Sequence, residues 1–260
     1  MNLLWKDFLK YTARQSTAGS IRTFDGVEAA WVHSALVINN GTYFTSPIAT
    51  EGELRSRLSA ASADALPHNL PWALYVYDPF VADVADDRVA SVAAEFGLGR
   101  VLGIHVMTGD VRALKPPTRP LPDLEFRRIT RREESKIAFD LNLRSYGMPL
   151  SMGDSALDTN AYFSDPQREF GFVALSGGVP VSTSTVLEID GWLYVALVAT
   201  DPDHRKRGFA EAVMRHALGV AASTLQMSRT SLDASVMGAP LYLQMGYQHT
   251  GETWGMYAAG

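Results

Sequence analysis

The stretch VALVATDPDHRKRGFAEAVMRHAL, residues 195–218, decides the reading of the whole chain. An apolar, β-prone run ends in a loop dense in charge, and a helical pattern begins at once. A helix N-terminus leaves four backbone N–H groups without intrahelical partners and carries the positive end of the helix dipole. Such an end binds phosphate where the backbone can be approached closely. Gly208 has no Cβ, Ala210 keeps the next turn slim, and Arg205, Lys206 and Arg207 surround the loop with positive charge. Strand, cationic loop and helix together point to a small-anion site at the helix start around Gly208.

Working outward, the strand of residues 192–200 follows two others, 171–176 and 179–189. The connections are Gly177-Gly178 and Asp190-Gly191, strong hairpin signals, so the three form an antiparallel meander. Downstream lie a helix over 208–226, a strand near 231–236, a short helix near 239–245 and a last strand near 247–257. Upstream, LEFRRIT (124–130) alternates like a strand. Thr130 reads as an N-cap with Glu133 three residues on, and the helix that follows carries Ile137, Phe139 and Leu141 to an end near Tyr146. Residues 151–167 are polar and turn-rich, with room for one short helix.

KPPTRPLP, residues 115–122, holds four prolines in eight positions and suits neither a helix interior nor a central strand. We place a boundary there, giving a domain over 1–115, a linker over 116–122 and a domain over 123–260. In the first part the pattern predicts a hairpin of 31–38 with 41–44 across Asn39-Asn40. A helix over 51–62, a strand over 72–77, a helix over 84–96 and a strand over 101–107 follow. The two parts end alike: Phe96-Gly97-Leu98 precedes Met107 as Met245-Gly246-Tyr247 precedes Met256, at the same spacing, a weak internal repeat.

The second part resembles the GNAT superfamily of acyl-CoA-dependent N-acetyltransferases. The superfamily signature [Q/R]-x-x-G-x-[G/A], between a strand and a helix, is matched by Arg205, Gly208 and Ala210. A later feature, a strand and a short helix carrying Tyr that closes on G-[F/Y], is matched by Tyr242, Gly246 and Tyr247. The element order from residue 124 onward fits as well. The resemblance implies an α+β fold with a GNAT-like mixed, mostly antiparallel sheet flanked by helices. It also implies two related domains, the first a degenerate copy without the signature. It places the CoA pyrophosphate on the amides of 206–210. Backbone of Val198 and Thr200 is then expected to pair with pantetheine where the strand splays from residues 232–235.

The chemistry implied is acetyl transfer from acetyl-CoA to a primary amine. An aliphatic ammonium has a pKa of about 10.4, so the amine needs a base or a desolvated site to lose its proton. An amide of Val198 or Ala199 is positioned to stabilise the oxyanion. Tyr242 falls where the resemblance puts a general acid facing the sulfur. Tyr194 stands where many relatives carry a basic carboxylate. Glu188 is expected on the opposite face, because the Asp190-Gly191 turn pairs it with Leu193; Asp233 and a water chain stay open as bases. Asn142, Tyr146 and Met148 fall where the resemblance puts the acceptor wall.

Bulk properties bound these readings. The 260 residues are 47% hydrophobic and 20% charged, with a net charge of −5, which argues against general nucleic-acid binding. No cysteine is present, and the six histidines show no ligand spacing, so neither disulfides nor a metal site is expected. MNLLWKDFLKYTARQ lacks the apolar core of a signal peptide, and no apolar run suits a membrane span. The expectation is a cytoplasmic protein that binds a small-molecule amine, no nucleic acid and no membrane, with a homodimer left open. The rival expectation is a non-catalytic acyl-CoA-binding or partner-docking module, favoured by the want of an obvious base. A third, some other phosphate-binding α/β protein, fits an antiparallel meander poorly.

Overall fold

The computed structural model describes residues 3–259. The chain opens with α1 (Leu4–Gln15), which turns Leu4, Trp5, Leu9 and Ala13 inward as an apolar stripe at helical spacing. Strands β1 (Ser20–Phe24) and β2 (Val27–Trp31) are joined by Asp25-Gly26, whose φ values of 44° and 74° suit the tight primed hairpin turn. β3 (Asn40–Phe44) follows. The expected hairpin of 31–38 with 41–44 is corrected: β2 ends at Trp31, which pairs with Asn40. Residues 32–39 form the connection, held by Asn40 Nδ2, which donates to the carbonyls of Ser34 and Pro71 at 2.8 Å each.

α2 (Glu51–Ala65), β4 (Ala73–Tyr77), α3 (Asp86–Glu95) and β5 (Gly99–Asp110) complete the first part. Residues 116–122 carry neither helix nor strand. Then come β6 (Glu125–Arg128), α4 (Arg132–Ser145) and α5 (Ser151–Leu157). The start of α4 is one residue later than Thr130 would set it. Glu134, paired with the Arg131 guanidinium, accepts the Arg131 backbone N–H at 2.9 Å and so caps the first turn. β7 (Glu169–Ser176), β8 (Val179–Ile189) and β9 (Trp192–Thr200) form the expected meander. α6 (Phe209–Leu225), β10 (Arg229–Ser235), α7 (Ala239–Met245) and β11 (Gln248–Ala258) close the chain.

All strands join one sheet in the order β1-β2-β3-β4-β11-β5-β10-β9-β8-β7-β6. Two pairings are parallel, β3 with β4 and β9 with β10; the others are antiparallel. The two parts therefore do not form separate sheets. β11 lies between β4 and β5, and β5 pairs in turn with β10, so each part gives its last strand to the other. The boundary drawn at 116–122 is a connection along the chain, with no matching gap in the sheet. The physical reason is non-local: β5 and β11 satisfy each other's backbone groups across the middle of the molecule, which leaves no unpaired sheet edge there.

α6 packs on β7, β8 and β9, burying Val213, Met214, Ala217 and Leu218 against Phe170, Val186 and Leu193. α2 and α3 bury Leu54, Leu58, Val89 and Val92 against Leu74 and Val76 of β4. Each such Leu or Val contributes roughly 1.5–3 kcal/mol of burial free energy. α2 and α6 also share a pattern. In each, the third residue is Glu and the seventh Arg, and the two pair: Glu53 with Arg57, Glu211 with Arg215. Among the described residues no helix is long and apolar enough to cross a membrane.

Candidate active site

The charge-rich loop folds as a turn around one buried carboxylate. Asp201 accepts the Asp203 N–H at 3.0 Å, meets His204 Nδ1 at 3.3 Å and pairs with Arg144 of α4 at 3.0 Å. Burial works against its charge, but the amide, the imidazole and the guanidinium outweigh it and hold its pKa below the ordinary carboxylate value. The chain then passes through Lys206 at φ 63° and Gly208 at φ 82°, both left-handed, and α6 begins at Phe209. No side chain caps this N-terminus. In α2, by contrast, Thr50 Oγ1 accepts the Glu53 N–H at 3.1 Å, while the Glu53 carboxylate accepts the Ala49 N–H at 3.0 Å. The corresponding corner of the first part is thus filled by its own side chains.

A cleft of about 600 Å³ lies over the α6 N-terminus, lined by Thr200, Arg205, Lys206, Gly208 and Ala210. Phe209 lines the cleft as well, and of the expected anion loop Arg207 alone is not on the lining. Phe209 is buried in the α6 core, and Arg207 turns away to the Asp203 carbonyl at 3.3 Å, so these two offer the loop only their main chain. Arg205 reaches across to donate to the Ser145 carbonyl at 2.7 Å, tying the loop to the end of α4. The opposite wall comes from the proline-rich segment, which its sequence marks only as a spacer. Arg119 donates to the Lys206 carbonyl at 3.2 Å, and Thr118 Oγ1 accepts Gln244 of α7 at 2.6 Å. The signal available in the sequence is a lone cation among four prolines, too little to place it.

β9 opens where the site needs it. Its parallel pairing with β10 ends at Val195–Leu232, so residues 196–200 have no strand partner on that side among the described residues. On the other side the register with β8 skips from Ala196–Thr185 to Ala199–Thr183, leaving Leu197 and Val198 as a β-bulge. Leu197 sits at φ 52°, a left-handed conformation that costs a β-strand leucine about 1–2 kcal/mol, and Asn142 Nδ2 holds its carbonyl at 3.4 Å. The Asp201 N–H bonds the Val181 carbonyl at 3.0 Å. By strand alternation Ala199 therefore faces β8, and Val198 and Thr200 face the opening. Of the two amides considered for the oxyanion, Val198 is the open one; Ala199 is corrected to a ladder position, its carbonyl occupied by Ser182 Oγ at 2.7 Å.

Beside that opening is a second cavity, of about 230 Å³, lined by Asn142, Tyr146, Tyr194, Val198, Asp233 and Tyr242. Residues expected to be catalytic and acceptor-facing are thus gathered in one place. Met148 is not among them; it packs with Phe139 and Leu143 beneath α4 and α5. Glu188 is bound to Arg168 at 2.8 Å and to the Gly191 N–H at 3.0 Å, outside the cavity, as its register with Leu193 requires. Asp233 stands in the middle. Tyr194 donates to its Oδ2 at 2.5 Å and Trp254 Nε1 to its Oδ1 at 2.9 Å. Burial pushes its pKa up to about 6, against the lowering effect of those two donors. The Tyr194 phenol is pushed well above its ordinary value by burial and by the Asp233 charge, so it donates rather than titrates. Tyr242 is also raised, by burial and then by nearby Tyr146, and keeps its proton at neutral pH.

Residues 136–247, which span the bulge, the anion loop and Tyr242, match the Acetyltransferase (GNAT) family. That segment is a GNAT domain. No curated protein matches the chain. Among solved structures, the chain superposes on a GCN5-related N-acetyltransferase from Kribbella flavida with a TM-score of 0.70 at 16% identity, over 98% of this chain and 94% of that one. A functionally unknown conserved protein from Staphylococcus epidermidis gives 0.68 at 15% identity, over 94% and 95%. A tandem GNAT protein from the clavulanic acid biosynthesis pathway gives 0.56 at 13%, over 98% and 94%. At these identities the likeness is one of fold. It extends over the whole chain, so the GNAT-fold neighbours share the mixed, mostly antiparallel sheet of both parts.

Proposed function

We propose that this protein is an acetyl-CoA-dependent N-acetyltransferase that moves an acetyl group directly to a primary amine of a small molecule. In this reading residues 123–260, with Arg119 of the linker, hold the coenzyme. Residues 1–115 are a degenerate GNAT-like copy, whose own helix N-terminus is closed by Thr50 and Glu53. The observation that carries the proposal is two cavities side by side along β9 and α7: an anion cleft over the uncapped start of α6, and a chamber lined by Val198, Asp233 and Tyr242. The residues present fit the coenzyme: free N–H groups, a left-handed glycine, and cations at Arg119 and Lys206.

The chemistry follows from their states. Asp233, ionised near neutrality, accepts a proton from the ammonium and frees its lone pair. As the C–N bond forms, the Val198 N–H holds the charge gathering on the carbonyl oxygen. As the C–S bond breaks, Tyr242 gives its proton to the sulfur, and the surplus proton on the newly bonded nitrogen passes to the tyrosinate, leaving a neutral amide and a thiol. Tyr194 is a positioning residue, since it fixes Asp233 Oδ2 and leaves the other lone pairs toward the chamber. The rival reading, a coenzyme-binding module without catalysis, rested on the want of a base, and Asp233 in the chamber favours the enzyme over it.

Two expected results test this assignment. Tyr242→Phe lowers kcat about 100-fold in a thiol-release assay while calorimetry finds the acetyl-CoA affinity unchanged, because a general acid contributes about 10²–10⁴-fold. Arg119→Ala weakens acetyl-CoA binding about three- to tenfold, with kcat at saturation kept and a shallower salt dependence, as loss of one charge-assisted phosphate contact requires. Release of thiol without acetylated amine, or normal rates in Tyr242→Phe, contradicts the mechanism.

A further inference from the structure

The chamber is walled by both parts of the chain. Trp5, Phe8 and Leu9 of α1 form one side, and Leu102 of β5 and Met256 of β11 enter through the strand exchange. Trp5, Tyr75 and Trp254 cluster as an aromatic floor, tilted or edge-on to one another, with ring centroids 5.3, 5.0 and 5.2 Å apart. The polar tips on this wall are engaged, save the Trp5 indole N–H, which has no partner among the described residues. Tyr75 donates to the Ile38 carbonyl at 3.0 Å, Tyr162 bonds Asn39 Oδ1, and Tyr194 and Trp254 both serve Asp233. Among the described residues Asp233 is the one charged side chain on the lining.

We infer that the acceptor is a compact monoamine with an uncharged, mainly hydrocarbon body, its nitrogen at Asp233 and its body against α1 and the aromatic floor. This rests on the N-acetyltransferase reading and specifies its substrate class. One carboxylate matches one ammonium. A second ammonium, or a carboxylate on the acceptor, would be buried without a countercharge, at a cost of several kcal/mol. The size of the chamber suits such a molecule. A cavity of about 150 Å³ takes a benzene ring, so about 230 Å³ takes an amine of roughly six to nine non-hydrogen atoms. The inference also explains what the first part of the chain contributes. Without an anion corner of its own, it supplies the apolar wall that selects the acceptor.

The test is a rate comparison with acetyl-CoA and four probes, namely benzylamine, 3-methylbutylamine, 1,4-diaminobutane and β-alanine. For the wild-type protein, kcat/KM with the first two is expected to exceed that with the last two at least tenfold. Benzylamine alone should quench tryptophan fluorescence saturably, since Trp5 and Trp254 line the chamber. Phe8→Asp adds a second carboxylate to the wall and is expected to raise the diaminobutane-to-benzylamine ratio at least tenfold. Should that variant not fold, the wild-type ratios and the quenching decide alone. Thiol release that favours the diamine or the amino acid overturns the substrate class and leaves the acetyltransferase reading standing. Acetyl-CoA binding without release from any amine overturns both.

Discussion

Valine at position 208 is expected to abolish coenzyme binding, raising the calorimetric Kd for acetyl-CoA at least 100-fold. Gly208 lies at φ 82°, where a β-branched residue meets its own carbonyl, and the change therefore reshapes the turn. A Cβ there would stand 3.4 Å from the Arg119 guanidinium and 3.5 Å from Pro122 Cδ, closing the approach from the cleft side. Both effects fall on the amides that begin α6, and their direction, more than their number, makes an anion site. Stability should change little. One residue forced into the left-handed region costs about 1–2 kcal/mol, a fall of a few degrees in Tm for a chain of this size. Gly208→Ala, with a smaller steric load, should sit between valine and the wild type. Undiminished affinity in a folded Gly208→Val protein would place the coenzyme somewhere else.

Pattern reading succeeds where the information is local. Gly177-Gly178 and Asp190-Gly191 fix two tight turns, and with them the ends of β8 and β9. The arginine–glycine–alanine spacing marks the anion loop, because a left-handed turn before a helix needs glycine in that place. The same kind of turn signal stands at Asp25-Gly26, and without it β1 goes unread and β2 is misplaced. α1 is legible in principle from Leu4, Trp5, Leu9 and Ala13 at helical spacing, a pattern that testing the stretch only as a leader segment does not reveal. Other features leave no local trace. Nothing in the composition of β5 or β11 announces that each pairs in the other part's sheet. The bulge at Leu197 lacks the glycine or asparagine that usually betrays a left-handed residue. Arg119 gains its place only when residues 116–122 cross the mouth of α6. Asp233 reads in the sequence only as one open candidate for the base, on a strand beside the splay. It becomes a half-buried carboxylate because the strand exchange brings Trp254 onto its Oδ1 and Tyr194 covers Oδ2.

Asp233→Asn is expected to lower kcat by about 10²–10³ while acetyl-CoA affinity stays within twofold, since the change removes the proton acceptor and touches nothing in the anion cleft. The pH dependence carries the sharper signature. With a pKa of about 6, Asp233 accepts a proton only when ionised, so wild-type kcat/KM falls tenfold per unit as pH drops below about 6. The asparagine variant loses that limb. Stability runs in the opposite sense. An ordinary aspartate in the unfolded chain titrates near pH 3.9, so below that pH the residue is neutral in both states and its burial is tolerated. Between about pH 4 and 6 the unfolded chain releases the proton while the folded one retains it, and stability declines with rising pH by no more than about 3 kcal/mol. Asparagine cannot ionise. Its Tm at pH 7.5 should therefore equal or exceed that of the wild type, a gain in stability coupled to a loss of rate. A residue with a purely structural role would show both falling together, and a variant with full activity and an unaltered acid limb would remove Asp233 from the mechanism.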